Sequence, residues 1–361
     1  MPVIIDGGRV PTRWAERTAS RPAESPDRFG ARAQSINVAL INNMPDAALE
    51  DTELQFFELL DAAAGDVPVK VKLYSLPELP RTERGQQHLD SFYFNYDDLW
   101  KSQLDGVIIT GTEPRQPDLS AEPYWQTLTD TLDWAADNTR STVASCLAAH
   151  ASVLHSDGIV RHPMADKKFG VFEHKKPCEH RLTNNLADSV RIPHSRWNEV
   201  REDALISCGY TVLTKSAEAG VDLFVKTIGK SLFVHFQGHP EYGLRSLLKE
   251  YRRDVRRFLR QERDTYPTMP HGYFDTEAQK LLTDFQNTAL AQRREEVIES
   301  FPESIISDAL RNTWQASASR LYKNWLQIVA AGKVDAPAFA TVVRAESSAP
   351  VTHDVNARGK R

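Results

Sequence analysis

Ser141-Thr142-Val143-Ala144-Ser145-Cys146-Leu147-Ala148-Ala149-His150-Ala151-Ser152-Val153-Leu154-His155 is the stretch whose reading decides the fold. A short apolar, partly β-branched run, Thr142 to Ala144, leads into Ser145 and Cys146, and a run of good helix formers follows at once. The pattern predicts a strand, a sharp turn and a helix, with Cys146 at the elbow. A side chain there sits at the carboxyl end of a strand and the amino end of a helix, where unpaired N–H groups and the helix dipole favour negative charge. Such a position favours the thiolate and offers donors to an oxyanion. A buried structural cysteine is the alternative reading.

Working outward, Ile36 to Ile41 is a strong strand ending in Asn42-Asn43-Met44-Pro45-Asp46, and an amphipathic helix carrying Leu54, Phe57 and Leu60 follows. Val69 to Leu73 alternates like a strand. Gly106 to Thr110 is a fully apolar strand that stops at Gly111, and Tyr124 to Asn138 reads as a helix. Strand and helix alternating at these spacings predict an α/β fold with right-handed crossovers and a mainly parallel sheet flanked by helices. Ligands in such sheets bind beyond the carboxyl ends of the strands, so Asn42 to Pro45, Gly111 to Arg115 and Cys146 are expected on one rim. Further on, Gly170 to His174, Tyr210 to Thr214, Asp222 to Thr227 and Ser231 to Phe236 read as shorter strands. Leu244 to Arg260, Thr276 to Arg293 and Trp314 to Ala331 read as helices. Residues 1–33, rich in Pro, Arg, Ser and Gly, read as an extended arm; 34–331 as a single α/β domain; and 332–361 as a mobile tail.

Composition narrows the function classes. With 361 residues, 41% hydrophobic and 26% charged, the chain can bury a sizeable core. A formal net charge of -5 argues against nucleic-acid binding through overall charge. No apolar run approaches the roughly 20 residues that span a bilayer, and the N-terminus lacks the pattern of a secretory signal. The 3 cysteines, Cys146, Cys178 and Cys208, form no disulfide framework, which points to a reducing compartment such as the cytoplasm.

His239 and Glu241 follow the strand ending at Phe236, in a turn carrying Gly238 and Pro240. Residues two apart on an extended segment point the same way, so the carboxylate can fix the tautomer of the imidazole. With Cys146 they supply a nucleophile, a base and an orienter, although among 11 histidines a His-x-Glu pair is by itself an ordinary surface feature. Pro193-His194-Ser195-Arg196-Trp197 reads as a polar loop, either a turn or a site for a small charged ligand. The helix after Tyr242 bears Arg245, Lys249, Arg252, Arg253, Arg256, Arg257 and Arg260, mostly a solvated face from which one inward arginine can grip a carboxylate. His174, Cys178 and His180 lack a fourth zinc ligand nearby, and no metal site is expected. No phosphate loop or dinucleotide fingerprint is present, which leaves coenzyme A thioesters open as substrates.

Several of these pieces occur together, in order, in one family. Asn43-Met44-Pro45 with Thr52-Glu53-x-Gln55, Asp105 to Gly111, Tyr124-Trp125, Cys146, Lys167-x-x-Gly170-Val171-Phe172-x-His174, Pro193 to Arg196, Gly238 to Tyr242 and Glu250-x-x-Arg253-Asp254 resemble the homoserine O-acyltransferases of methionine biosynthesis. The resemblance runs from about Ile36 to Arg260 and implies a fold similar to class I glutamine amidotransferases. It implies ping-pong acyl transfer from succinyl-CoA or acetyl-CoA, with the acyl-CoA as co-substrate and no bound cofactor. Cys146 would carry the acyl group, His239 would act as general base and Glu241 would orient it. Leu147 and Thr112, or its neighbour Gly111, would line the oxyanion hole, and Lys167, Ser195 and Arg253 would hold the amino acid. The family is commonly dimeric, which implies a homodimer.

The chain departs from the family at Cys146-Leu147-Ala148, where a Trp usually follows the Cys, and at Thr110-Gly111-Thr112-Glu113-Pro114. At the position that tracks acyl choice, Glu goes with acetyl and Gly with succinyl; here it is Arg115. A cation there suits the free carboxylate of a succinyl group, so succinyl-CoA is the expected donor. The altered wall leaves serine as a rival acceptor to homoserine. A glutaminase-like hydrolase and a non-catalytic binding protein are the other readings of such a scaffold.

Overall fold

The β-branched runs become strands in the computed structural model, which describes residues 2–20 and 35–331 together with the backbone of 342–343. The strands in chain order are β1 (Val3–Ile5), β2 (Ile36–Ile41), β3 (Val69–Tyr74), β4 (Gly106–Ile109), β5 (Ser141–Ser145), β6 (His162–Lys175), β7 (Cys178–Glu179), β8 (Ser189–Glu199), β9 (Thr211–Val212), β10 (Lys215–Ser216), β11 (Gly220–Val221), β12 (Leu223–Ile228), β13 (Ser231–Phe236) and β14 (Val342–Val343). The helices are α1 (Thr12–Thr18), α2 (Asp46–Ala64), α3 (Glu83–Phe92), α4 (Trp125–Asn138), α5 (Leu147–Asp157), α6 (Glu202–Ser207), α7 (Ser246–Leu259), α8 (Thr276–Gln292), α9 (Glu303–Ala309) and α10 (Gln315–Ala331).

The main sheet runs β1-β3-β2-β4-β5-β13-β12-β9. Every pair from β1 to β13 is parallel, and β12 and β9 add an antiparallel edge. Alternation along the strands feeds two cores. Val38, Leu40, Val71, Ile108, Val143 and Val234 pack with Phe56 and Phe57 of α2 and Leu321, Tyr322 and Trp325 of α10. Ala39, Ile41, Val107, Ile109, Ala144 and Phe233 face Leu128 and Leu132 of α4 and Ala148 of α5. Burying both faces is what a parallel sheet requires. A second sheet, β11-β10-β6-β8, is antiparallel, and α7, α8 and α9 enclose a further core with Phe169 and Val171 of β6.

Three expectations are corrected. The N-terminal segment is not simply an extended arm: Val3–Ile5 extends the main sheet beside β3, and α1 buries Trp14 at 2% exposure with its ring 5.5 Å from Phe57. A composition dominated by Pro and Arg hid one short apolar triplet and one indole, which suffice for an edge strand and a docking helix. Residues 21–34 lie outside the described part. The Pro193–Trp197 stretch is a strand within β8, paired with the 14-residue β6, not a loop. His194 and Arg196 are buried because each finds a buried partner, Ser195 is half-buried and Trp197 is exposed. In the segment expected as a tail, Val342–Val343 pairs antiparallel with β7, while 332–341 and 344–361 lie outside the described residues.

Trp14→Ala should lower unfolding free energy by about 3–5 kcal/mol, the usual cost of emptying a buried indole site. Urea denaturation would show it as a reduced midpoint at unchanged slope. An unchanged midpoint would mean that α1 contributes no packing energy.

Candidate active site

Strand register brings the site together. Ile41 of β2 stands opposite Ile109 of β4, Ile109 opposite Ala144 of β5, and Ser145 opposite Phe236 of β13, so the chain segments leaving these strands emerge on one rim. Asn43 laces two of them, its N–H donating to Thr110 Oγ1 at 2.8 Å and its Nδ2 to the Thr110 carbonyl at 3.3 Å.

At the centre Cys146 adopts φ 53° and ψ -111°, between β5 and α5. A non-glycine residue there carries strain of order 1–3 kcal/mol, sustained only where neighbours over-determine the turn. They do so here: the Cys146 N–H donates to the Phe236 carbonyl at 2.7 Å, and its own carbonyl accepts from Ala149 at 3.1 Å. Gly111 is needed on the other side, because a Cβ at that position would lie 3.0 Å from Leu147 N. The Leu147 N–H is the first of α5 and has no acceptor within the helix, as expected of a first-turn amide. Thr112 follows Gly111 on the same loop and is half-buried.

His239 and Glu241 leave the neighbouring strand β13. His239 Nδ1 lies 2.8 Å from Glu241 Oε1, and both residues are buried. Cys146 lies within electrostatic reach of the imidazole, whose Nε2 is the nitrogen that Glu241 leaves free. Burial alone would depress the His239 pKa, but negative charge and hydrogen bonding from Cys146 and Glu241 outweigh it and hold the imidazolium well above the ordinary histidine value. Tyr242 stacks on the His239 ring at 4.3 Å.

Beneath this turn lies a buried polar chain. Gly238 N–H donates to Asp222 Oδ1 at 2.8 Å, and His239 N–H to the Pro193 carbonyl at 2.8 Å. Arg196 Nε donates to His194 Nδ1 at 3.2 Å, which leaves the proton of His194 on Nε2, 3.1 Å from His174 Nε2. His174 then donates through Nδ1 to the Phe172 carbonyl at 3.1 Å. Burial first, and then the Arg196 charge, push His194 well below its usual pKa, so this pair stays neutral and the chain is directional. Two of the three zinc candidates are thereby accounted for: His174 belongs to this chain, and His180 caps Leu182 through Nδ1. Cys178 Sγ contacts the Val212 carbonyl. Among the described residues no three His, Cys, Asp or Glu side chains form a metal-holding group.

Lys167, Ser195 and Arg253 meet around Glu250. Ser195 Oγ donates to Glu250 Oε2 at 2.6 Å, Tyr242 OH donates to Oε1 at 2.6 Å, and Lys167 Nζ stands 3.5 Å from both Glu250 and Asp254. Arg253 is half-exposed, with Nη2 3.1 Å from Asp254 and 3.7 Å from Glu250. Tyr242 connects this cluster to His239. Burial, followed by the Glu250 charge, raises the Tyr242 pKa far above the usual phenol, so the hydroxyl remains a donor. Sequence reasoning quoted Glu250 and Tyr242 only as parts of motifs and missed their linking role, which depends on the packing of β8 against α7. Arg115 stands on the loop after β4 with an exposed side chain, and its N–H donates to Glu122.

A thiol enzyme of the α/β class is what an elbow cysteine within electrostatic reach of a carboxylate-oriented imidazole defines. Comparison with known proteins gives the family. A family model described as "Homoserine O-succinyltransferase" matches residues 23–334. Curated relatives include homoserine O-succinyltransferase of Rhodopseudomonas palustris, 42% identical over 86% of this chain and 93% of that protein. That of Bradyrhizobium japonicum is 39% identical over 92% of this chain and 100% of that protein. The chain belongs to the homoserine O-succinyltransferase family and is an acyltransferase. Among solved structures, a glutamine amidotransferase from Thermotoga maritima is similar at TM-score 0.43 and 11% identity, covering 82% of this chain and 99% of that one. One from Methylobacillus flagellatus scores 0.45 at 11% identity, over 81% and 94%. No helix among the described residues is long and apolar enough to cross a membrane.

The raised His239 pKa has a definite sign. Its stabilisation is fully present below the ordinary histidine value and is lost as pH rises through the higher folded value. In Cys146→Ala, NMR titration of the His239 ring should show its pKa fall by about 1–3 pH units, because one opposite charge is gone. A pKa that does not move would show that the thiol is not the imidazolium's partner.

Proposed function

We propose that this chain transfers a succinyl group from succinyl-CoA to the hydroxyl of homoserine through an acyl-cysteine, a step of methionine biosynthesis. The observation that supports it most is a buried imidazole held by the Glu241 carboxylate at 2.8 Å, within electrostatic reach of Cys146 and beside a cluster of both charge signs. The proposed cycle starts with the proton on His239 and with Cys146 as the thiolate. The thiolate attacks the thioester carbonyl, the bond to the CoA sulfur breaks, and the leaving thiolate takes the proton from His239. The neutral imidazole then takes the hydroxyl proton of the acceptor as its oxygen attacks the acyl-cysteine. Cys146 leaves as thiolate, and the starting ion pair is restored.

Glu241 holds the ring so that Nε2 faces the reacting atoms, and it stabilises the charged form. The Leu147 N–H and a donor from the Gly111–Thr112 backbone receive the oxyanion, each such donor supplying about 3 kcal/mol in enzymes of this kind. A zwitterionic acceptor needs both signs of charge. Lys167 and Arg253 suit its carboxylate, Glu250 and Asp254 its ammonium group, and Ser195 the atoms between. The names of the relatives support homoserine as acceptor and succinyl as the acyl group. CoA passes through as a co-substrate.

Incubation with succinyl-CoA and no acceptor should release free CoA and leave a succinyl adduct on Cys146 by mass spectrometry, with none on Cys146→Ala. His239→Ala should lower kcat by about 10²–10⁴-fold, the range for loss of a general base. An adduct absent from the parent enzyme, or turnover persisting in Cys146→Ala, would sink the acyl-enzyme reading.

A further inference from the structure

Cys146 is flanked by two separate polar environments. On the β13 side stand His239 and the Glu250 cluster, assigned above to the amino acid. On the β4 side, the loop from Gly111 to Tyr124 crosses toward Arg161, which enters just before β6. The Arg161 guanidinium donates from Nη2 to the Pro117 carbonyl at 3.3 Å, and among the described residues no carboxylate lies within ion-pair distance of it. Glu122, Asp118 and Cys146 are nonetheless within its electrostatic reach. The contrast with Arg196 is informative. Arg196 also feels Cys146, but its donors are taken up by His194, Asn198 and Ala219, so it has no capacity for a ligand. Most of the donors of Arg161 are uncommitted.

A second observation points to a ligand in the same place. The Tyr124 hydroxyl is buried, on a residue 4% exposed, and has no hydrogen-bond partner. Arg161 and Arg115 are the cations that act on it. A buried hydroxyl without a partner is costly, and its deficit is removed when an acceptor binds. Glu122 acts on the same hydroxyl. One of its oxygens is spent on the N–H groups of Arg115 and Gln116, and the other, Oε2, is buried without a partner. That carboxylate ties the loop to itself through the Arg115 and Gln116 N–H groups, while the Arg161 guanidinium lies within electrostatic reach of Cys146.

We propose that Arg161, together with the Tyr124 hydroxyl, receives the distal carboxylate of a dicarboxylic acyl group carried on Cys146, and so selects succinyl over acetyl donors. This rests on the acyl-cysteine reading above and names the group that reads the acyl chain. It gives to Arg161 the role expected of Arg115, whose side chain is exposed on the loop after β4. A planar guanidinium with free donors and a phenol donor make a receptor for a carboxylate and offer nothing to a methyl group.

The test is the ratio of kcat/KM for succinyl-CoA to that for acetyl-CoA in the parent, Arg161→Gln, Arg161→Lys, Tyr124→Phe and Arg115→Gln. Arg161→Gln should lower the ratio about 10–100-fold, the effect of losing a hydrogen bond to a charged group. Arg161→Lys should recover part of it, Tyr124→Phe should lower it several-fold, and Arg115→Gln should lower it less than Arg161→Gln. Should Arg161→Gln fail to fold, Tyr124→Phe and Arg161→Lys carry the test alone. A ratio unchanged in the Arg161 and Tyr124 variants, or moved most by Arg115→Gln, overturns the assignment even while the succinyl adduct still forms on Cys146. A parent that forms no adduct with either thioester overturns both this and the reading it rests on.

Discussion

The site depends on a single backbone hydrogen bond between adjacent parallel strands, from the Cys146 N–H to the Phe236 carbonyl. It forms at the point where both strands end, so it ties the strained turn of the cysteine to the start of the turn that carries His239. The strain at Cys146 and the placement of the imidazole are therefore one constraint. With φ at 53° the thiol is thrust up from the rim, and with β13 as its neighbour that rim has a histidine within reach.

What keeps the histidine there is burial of polar groups that sequence patterning treats as surface. Gly238 lies so close to Asp222 Oδ1, Ile192 and the Pro193 carbonyl that a Cβ would meet each at 2.8 Å. The Arg196–His194–His174 chain fills the layer below with fully assigned donors and acceptors. A buried network satisfied end to end specifies one arrangement, because any rotation leaves an unpaired group in a low-dielectric interior. The main-chain carbonyl of Pro193 then receives the His239 N–H from a rigid strand.

Charge is distributed around the sulfur with a similar economy. His239, Arg161 and Arg196 all lie within its electrostatic reach. Glu250 and Asp254 stand beyond Tyr242, where they pair with Lys167 and Arg253. The stacked Tyr242 ring separates these carboxylates from the imidazole while remaining hydrogen-bonded to one of them. On the proposed assignment, acyl chemistry on the β4 side and amino-acid recognition on the β13 side meet at one atom without sharing a charged group.

Local pattern alone was enough for the elbow, the parallel sheet and the rim. A β-branched run before Cys146 and an alanine-rich run after it have only one economical geometry, and Ser231–Phe236 forms the strand its residues predict. The His239–Glu241 pairing was legible too, although the two side chains meet within a turn closed from the Tyr242 N–H to the His239 carbonyl rather than along extended chain. Sequence did not reveal that Pro193–Trp197 is a strand with His194 and Arg196 buried, that Val3 and Trp14 belong to the fold, or that Tyr242 and Glu250 join the two halves of the site. Each of these depends on a partner more than fifty residues away or on an element packed from elsewhere, such as Glu250 for Ser195 or Phe57 for Trp14. Periodicity reports which face of an element is apolar, but the placement of a buried polar group is decided by whatever donor or acceptor the tertiary fold brings to it.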